Sequence, residues 1–284
     1  MPEIAQEPDY KTIADLLKAG YVVPFFGAGA SIGCGFPSGT DLAQQLVKAG
    51  EFPDEDGQGN LAFVASYLVQ VSKGSATLNY LLRTLFRRDA NPSELHQCVA
   101  SIDGVKLVVT TNYDDLIERA LEQRKPRLVV DRGTPGAVYL REAGKPWVEV
   151  RANVLTEMIQ DWNQPVVFKM HGSHDADEDN DAFLITEEQY VDFLGRPETG
   201  QIPPVLVKKM KKKAFLFLGY GLKDWNVRVM LRKLMLSRNP ADRYPCWAIV
   251  RSASAAEKAL WRSQGVDIFE LDLNAFTEKL REKL

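Results

Sequence analysis

Four short clusters hold the residues that could do chemistry. The first, Gly27-Ala28-Gly29-Ala30-Ser31, directly follows an apolar run. Glycines let a backbone approach an anionic ligand, and N–H groups in such a turn can hold pyrophosphate oxygens. A tight turn with no ligand would use the same residues. The second, Thr110-Thr111-Asn112-Tyr113-Asp114-Asp115, also follows an apolar run and opens a helical pattern. Asp114 or Asp115 could cap that helix by accepting backbone N–H bonds. Asn112 carries both a donor and an acceptor, and can position a water or a sugar hydroxyl. The third is Lys169-Met170-His171-Gly172-Ser173, in which Gly172 leaves room beside the ring. Imidazole, with an ordinary pKa of about 6.5, suits general-base work near neutrality, although a lone histidine is more often structural. The fourth runs Gly219-Tyr220-Gly221-Leu222-Lys223-Asp224-Trp225-Asn226. Its glycines again permit close approach, and Asp224 either caps a helix or binds a ribose hydroxyl. His96, patterned with Leu95 and Val99, reads as packing. His174, heading the acidic stretch Asp175–Asp181, reads as surface.

These clusters need elements to position them. The apolar runs Tyr21–Phe26, Val105–Thr110, Val166–Met170, Ala214–Leu218, Cys246–Val250 and Val266–Leu271 read as strands. After Thr40 a helical face carries Leu42, Ala43, Leu46 and Val47. Two more carry Leu116, Ile117, Ala120 and Leu121, and Val227, Met230, Leu231 and Leu234. Strands alternating with helices predict an α/β, doubly wound, mostly parallel sheet covered on both faces. Residues 50–100 lack a strand signal and read as an inserted helical module beside the sheet. Residues 130–165 give no clear pattern. In such a sheet, ligands bind outside the carboxyl ends of the strands, where all four clusters fall.

The whole-chain properties narrow the field. The 284 residues are 45% hydrophobic and 26% charged, enough for one large domain with an insertion. A formal charge of -3 gives no basic stripe, so direct nucleic-acid binding is not expected. The run Lys208, Lys209, Met210, Lys211, Lys212, Lys213 reads as a solvated helix end. The sequence has no signal-peptide pattern and no apolar run of about 18 residues, so no membrane span is expected. Cys34, Cys98 and Cys246 form no C-x-x-C pair, which argues against a disulfide framework and fits a reduced cytoplasm.

In this order the clusters GAGAS, TTNYD, KMHGS and LGYGLKDWN resemble the sirtuin-like superfamily, and most closely its bacterial branch in antiphage defence systems. The resemblance spans roughly residues 10 to 275. It implies a Rossmann-like NAD-binding domain with an inserted module, so that residues 1–284 form a single catalytic domain. It implies that Gly27, Ala28, Gly29, Ala30 and Ser31 hold the NAD phosphates and nearby ribose. Asn112, beside Thr111, would orient the attacking water, with Asp114 in support. His171 would be the general base acting on a ribose hydroxyl or on the water, with Thr111 and Gly172 among the residues that bind NAD. Gly219, Tyr220, Gly221 and Asp224 would border the adenosine end.

The departures from that pattern are as informative. Deacylating sirtuins have a four-cysteine zinc ribbon, which three unpaired cysteines cannot form, so no zinc is expected. They also place Gln before the catalytic Asn, where this chain has Thr111. After the glycine turn they carry Pro-Asp-Phe-Arg near the nicotinamide, where this chain has Gly35-Phe36-Pro37-Ser38-Gly39-Thr40. The resemblance therefore implies hydrolysis of NAD to nicotinamide and ADP-ribose, with NAD as substrate. Its rivals are a module that senses NAD or ADP-ribose without turnover, and a zinc-free deacylase. Such an activity needs restraint, and the resemblance implies that it resides in a separate regulatory protein partner, such as a ring-forming ATPase, or in homo-oligomerisation.

Overall fold

The apolar runs become the centre of a nine-stranded sheet. A computed structural model describes residues 7–50, 52–53, 59–130, 137–142, 144–159, 163–174, 182–195, 202–221, 228 and 244–284. The strands are β1 (Val22–Phe26), β2 (Leu107–Thr110), β3 (Arg127–Val130), β4 (Ala137–Arg141), β5 (Val148–Arg151) and β6 (Val166–Lys169). There follow β7 (Gly172–Ser173), β8 (Ala182–Phe183), β9 (Ala214–Leu218), β10 (Cys246–Val250) and β11 (Val266–Glu270). The main sheet runs β11-β10-β9-β1-β2-β6-β3-β4-β5, while β7 and β8 pair separately. Pairing is parallel from β11 to β3 and antiparallel at β4 and β5. The architecture is thus the expected α/β one with a mostly parallel sheet.

Every residue of β1, β2, β6, β9 and β10 is buried, which is why these strands read as continuous apolar runs rather than alternations. Pairing of β1 with β2 begins at Phe25, one residue past Pro24, which has no N–H for a ladder. The unreadable stretch 130–165 holds the antiparallel extension. In β5 only Val150 is buried, so its short alternation carried little signal.

Helices cover both faces. They are α1 (Tyr10–Lys18), α2 (Gly39–Ala49), α3 (Leu61–Val71), α4 (Ala76–Phe86), α5 (Glu94–Ser101) and α6 (Leu116–Ala120). The others among the described residues are α7 (Ala152–Met158), α8 (Glu187–Gly195), α9 (Pro204–Met210), α10 (Ala255–Ser263) and α11 (Leu273–Arg281). Because strand side chains alternate, Val23 and Phe25 enter one core with Leu206 and Met210 of α9 and Trp261 of α10. Val22 and Phe26 enter the opposite core with Ile13 of α1, Val99 of α5 and Phe276 of α11. Within residues 50–100, α3 and α4 join α2 in a third cluster built on Leu46, Val64, Leu68, Leu82 and Phe86. Helix α5 instead packs on the sheet. The lysine run departs slightly from the solvated helix end expected. α9 stops at Met210, and Lys213 turns inward to donate to the Gly20 carbonyl at 2.7 Å. The helical face Val227–Leu234 and the acidic stretch 175–181 lie outside the described residues.

Helix α5 delivers His96 against the face of Phe26, ring centroids 5.0 Å apart, with Nδ1 paired to the Ser93 hydroxyl at 2.7 Å. Burial lowers its pKa to about 4, and the charge of Asp114 opposes that shift only in part. The folded state therefore keeps His96 neutral where the unfolded chain takes up a proton. The stability this contributes is present above about pH 6.5 and is lost as pH falls toward about 4. Between pH 7 and pH 5 the wild type should lose about 2 kcal/mol more than His96→Gln in urea unfolding. Equal losses in the two proteins would show that His96 is protonated in the fold.

Candidate functional site

The sheet order sets the four clusters on four adjacent parallel strands. Gly219 follows β9, Gly27 follows β1, Asn112 follows β2 and His171 follows β6. The chain winds in opposite directions from β1, to β2 on one side and to β9 on the other. That places the β1–β9 boundary at the switch point where open α/β sheets form a ligand crevice.

At that boundary two turns touch backbone to backbone. The Gly27 N–H donates to the Leu218 carbonyl at 3.0 Å and the Gly29 N–H to the Gly219 carbonyl at 2.8 Å. A methyl on Gly27 would sit 2.7 Å from Tyr220 Cα, and one on Gly29 would sit 2.7 Å from the Gly219 oxygen. Gly219 has φ +63°, and a Cβ there would meet the Ala30 nitrogen at 2.3 Å. These three glycines serve the interlock between the turns. Gly221 differs, since a Cβ there would meet nothing within 4 Å.

The interlock also redistributes the donors expected of the first turn. Gly27, Gly29, Ala30 and Ser31 all spend their N–H groups on backbone carbonyls of the two turns. Among the described residues 27–31, only the Ala28 N–H makes no such bond. A second 3-10 turn then starts at Ile32, and the leading N–H groups of a helical turn have no acceptor within it. Ala28, Ile32 and Gly33 all line a cavity of about 630 Å³ that opens here. Its far wall comes from the ends of β10 and β11, with Arg251, Ser252, Glu270, Asp272 and Asn274. Gly219, Tyr220 and Gly221 form its floor beside β9.

Asn112 and His171 lie on the opposite side of β1 from that wall. Asn112 is 8% exposed and is held at three points. Its N–H donates to Thr110 Oγ1 at 3.0 Å, and its Nδ2 donates to the Gly27 carbonyl at 3.1 Å and to Ser31 Oγ at 3.0 Å. A carbonyl oxygen can only accept, so the Gly27 contact fixes which end of the amide is nitrogen. Both amide hydrogens are used, and Oδ1 is the acceptor left for a ligand or water. Thr111 continues the ladder through its N–H to the Phe26 carbonyl. His171 is 5% exposed, with its ring edge-on to Tyr190 at 5.4 Å. Its carbonyl accepts from Leu184, and Gly172, at φ +82°, turns the chain into β7. His174, read from sequence as surface, is half-buried, its N–H reaching the Tyr113 carbonyl. Asp114 is buried and its Oδ1 accepts from the N–H of Leu116, the first residue of α6, at 3.2 Å, while Asp115 stands at the N-cap position without a side-chain capping bond. Asp224 lies outside the described residues.

The family assignment rests on the chain itself. A SIR2-like domain matches residues 106–269, more than half of the 284. The chain belongs to the SIR2-like domain family. It is similar to the NAD(+) hydrolase ThsA of Enterococcus faecium, 27% identical over 82% of this chain and 44% of that protein. The NAD(+) hydrolase ThsA of Bacillus cereus (strain MSX-D12) is 24% identical over 90% of this chain and 49% of that protein. Defense-associated sirtuin 2 of Bacillus subtilis is 22% identical over 78% of this chain and 20% of that protein. This SIR2-like chain thus spans less than half the length of each of these relatives. The matched segment contains Asn112, His171 and Gly219 and begins after the glycine turn.

Sequence reasoning missed part of this SIR2-like site. Thr110 supplies the hydroxyl that holds the Asn112 backbone, and Lys169 reaches the same loop from β6. The β10–β11 wall was also missed, although Ser254 and Glu257 form a capping box and Asp272 caps α11. Those caps marked helix starts at strand ends, which is where α/β ligands sit. Among the described residues no group of three or more His, Cys, Asp or Glu could hold a metal ion. Cys34, Cys98 and Cys246 are free thiols.

The two classes of glycine should separate cleanly on substitution. Gly29→Ala should cost about 1–3 kcal/mol in denaturant unfolding, because the methyl overpacks a backbone contact. Gly221→Ala should stay within about 0.5 kcal/mol of wild type. Calorimetric titration with ADP-ribose should show the reverse order of harm, with Gly221→Ala binding more weakly at unchanged stability.

Proposed function

We propose that this chain hydrolyses NAD, splitting the nicotinamide–ribose bond to give nicotinamide and ADP-ribose. The observation that supports this best is the fixed amide of Asn112. Its nitrogen is committed to the Gly27 carbonyl and the Ser31 hydroxyl, which leaves its oxygen as the acceptor. An acceptor held in that way can take a hydrogen bond from the attacking water and point the oxygen lone pair at the anomeric carbon. The adenosine and phosphates would lie in the cavity between the glycine turn and the β10–β11 wall, with the N–H groups of Ala28, Ile32 and Gly33 near the phosphates. The nicotinamide ribose would then cross β1 toward Asn112 and His171.

The reaction balances simply. The C1′–N bond breaks, its electron pair neutralises the pyridinium nitrogen, and nicotinamide leaves without needing an acid. The sugar passes through an oxocarbenium-like state, as in other glycosidic cleavages. Water adds at C1′ and its proton passes to His171, which acts as general base. The similarity to proteins named NAD(+) hydrolase and defense-associated sirtuin supports the same reading and suggests a role in defence against phage. Restraint of the activity is assigned to a homo-oligomer or to a separate regulatory protein such as a ring-forming ATPase. Residues 50–100 are assigned to an inserted helical module that such a partner could contact.

Purified chain and NAD, with no acyl peptide, should release nicotinamide. Asn112→Ala and His171→Ala should each cut that rate by about 10²- to 10⁴-fold while circular dichroism stays native. Near-native turnover in either folded variant would remove that residue from the mechanism. Tight ADP-ribose binding with no nicotinamide release by wild type would favour the sensing module instead.

A further inference from the structure

The strand that carries His171 also holds the loop that carries Asn112, and it does so through one side chain. Lys169 ends β6 and is 1% exposed. Its ammonium donates to the Asp114 carbonyl oxygen and to Glu118 Oε1, the latter at 2.6 Å. Both acceptors belong to the segment just after Asn112. We propose that Lys169 is a positioning residue that sets the Asn112 loop against the His171 strand, an inference that rests on the NAD-hydrolase reading of this site.

Packing alone does not account for a lysine here. All four residues of β6 are buried, and an apolar side chain would fill the same space without the desolvation cost of an ammonium. Nor does the pair complete itself as an ion pair would for stability. Glu118 Oε2 is buried with no partner among the described residues, and burial pushes the Glu118 carboxyl up despite the lysine beside it. What the ammonium adds is a link between two loops. Asn112 is tied to the glycine turn through Nδ2, and Asp114 uses its carboxylate on Leu116. On the β6 side the His174 N–H reaches the Tyr113 carbonyl at 3.4 Å, and the Lys169 bond to the Asp114 carbonyl is the charged tie on that side. Without it, that side of the loop keeps the long His174 contact and the Tyr113 hydroxyl on the Leu184 carbonyl.

The consequence falls on the chemical step rather than on binding. A water-orienting group displaced by about 1 Å can cost about 10²-fold in rate. The β10–β11 cavity lies across β1 from Lys169, so affinity for the adenosine half should be spared.

The test is the double variant Lys169→Met/Glu118→Leu, which removes both members of the buried ion pair together and leaves the Asp114 carboxylate on the Leu116 N–H. Amide hydrogen exchange at Asn112 and Leu116 should rise by about tenfold or more while β1 and β10 stay protected. At saturating NAD, nicotinamide release should fall about 10- to 100-fold with KM changed by less than about threefold. Unchanged exchange at Asn112 and Leu116, or a wild-type kcat in the folded variant, would overturn the proposal. If the wild type itself releases no nicotinamide, the hydrolase reading fails, and the exchange result still decides what Lys169 does. Should the apolar pair not fold, Lys169→Gln/Glu118→Gln gives the same two readouts with a neutral polar pair.

Discussion

The site depends on a contact between two backbones. β1 and β9 pair in register from Val22 opposite Ala214 to Phe26 opposite Leu218, so their following turns leave the sheet at the same level. Side chains on those turns would collide, and the approach is possible because Gly27, Gly29 and Gly219 have none. The contact fixes the Gly27 carbonyl, the Gly27 carbonyl fixes the amide of Asn112, and Ser31 secures the other amide hydrogen. A close approach that looks designed for an anion is thus first an internal fit. The N–H groups not spent on that fit fall at Ala28 and in the next turn, beside the cavity.

Beneath this surface lies an unusual share of buried polar groups. Thr110, Asn112, Asp114, Lys169, His171 and His96 are all buried within the strand-end region. Each would be costly if unpaired, and most are accounted for by named bonds. Thr110 bridges β1 and the Asn112 backbone, and Asp114 accepts from the Leu116 N–H. Neutral His96 lies against Phe26 as a polar plug. Such a network adds little net stability, but it restricts the loop to one arrangement.

A chain of aromatic rings joins the helical cluster to the same loops. Phe36, after the glycine turn, stacks on Phe86 of α4, which meets Tyr113 edge-on, which in turn meets Phe183. The Tyr113 hydroxyl donates to the Leu184 carbonyl, and the Leu184 N–H donates to the His171 carbonyl. Arg88, just past α4, also donates to the Gly35 carbonyl at 2.8 Å. Helices α2 to α4 therefore share one packed core with both loops. Movement of those helices cannot leave the loops untouched, because tightly packed interiors transmit displacement.

The sequence by itself determined the fold class and the four strand-end clusters. Central parallel strands must be apolar throughout, and turns that face a ligand or another turn must be small or polar. Both constraints write themselves into local composition. Sequence also placed His96 in the packing, since its neighbours follow the helical period. Only the tertiary structure decided strand order, and with it that β9, β1, β2 and β6 are neighbours. It alone showed that the glycines answer to one another, and that Lys169 ties the Asn112 loop to β6. These are contacts between residues far apart in sequence, 190 positions for Gly29 and Gly219 and 55 for Lys169 and Asp114. No local pattern encodes a partner at that distance. Strand β5 was hidden for the opposite reason: it lies at the sheet's edge with Val148, Glu149 and Arg151 exposed, where water accepts almost any residue.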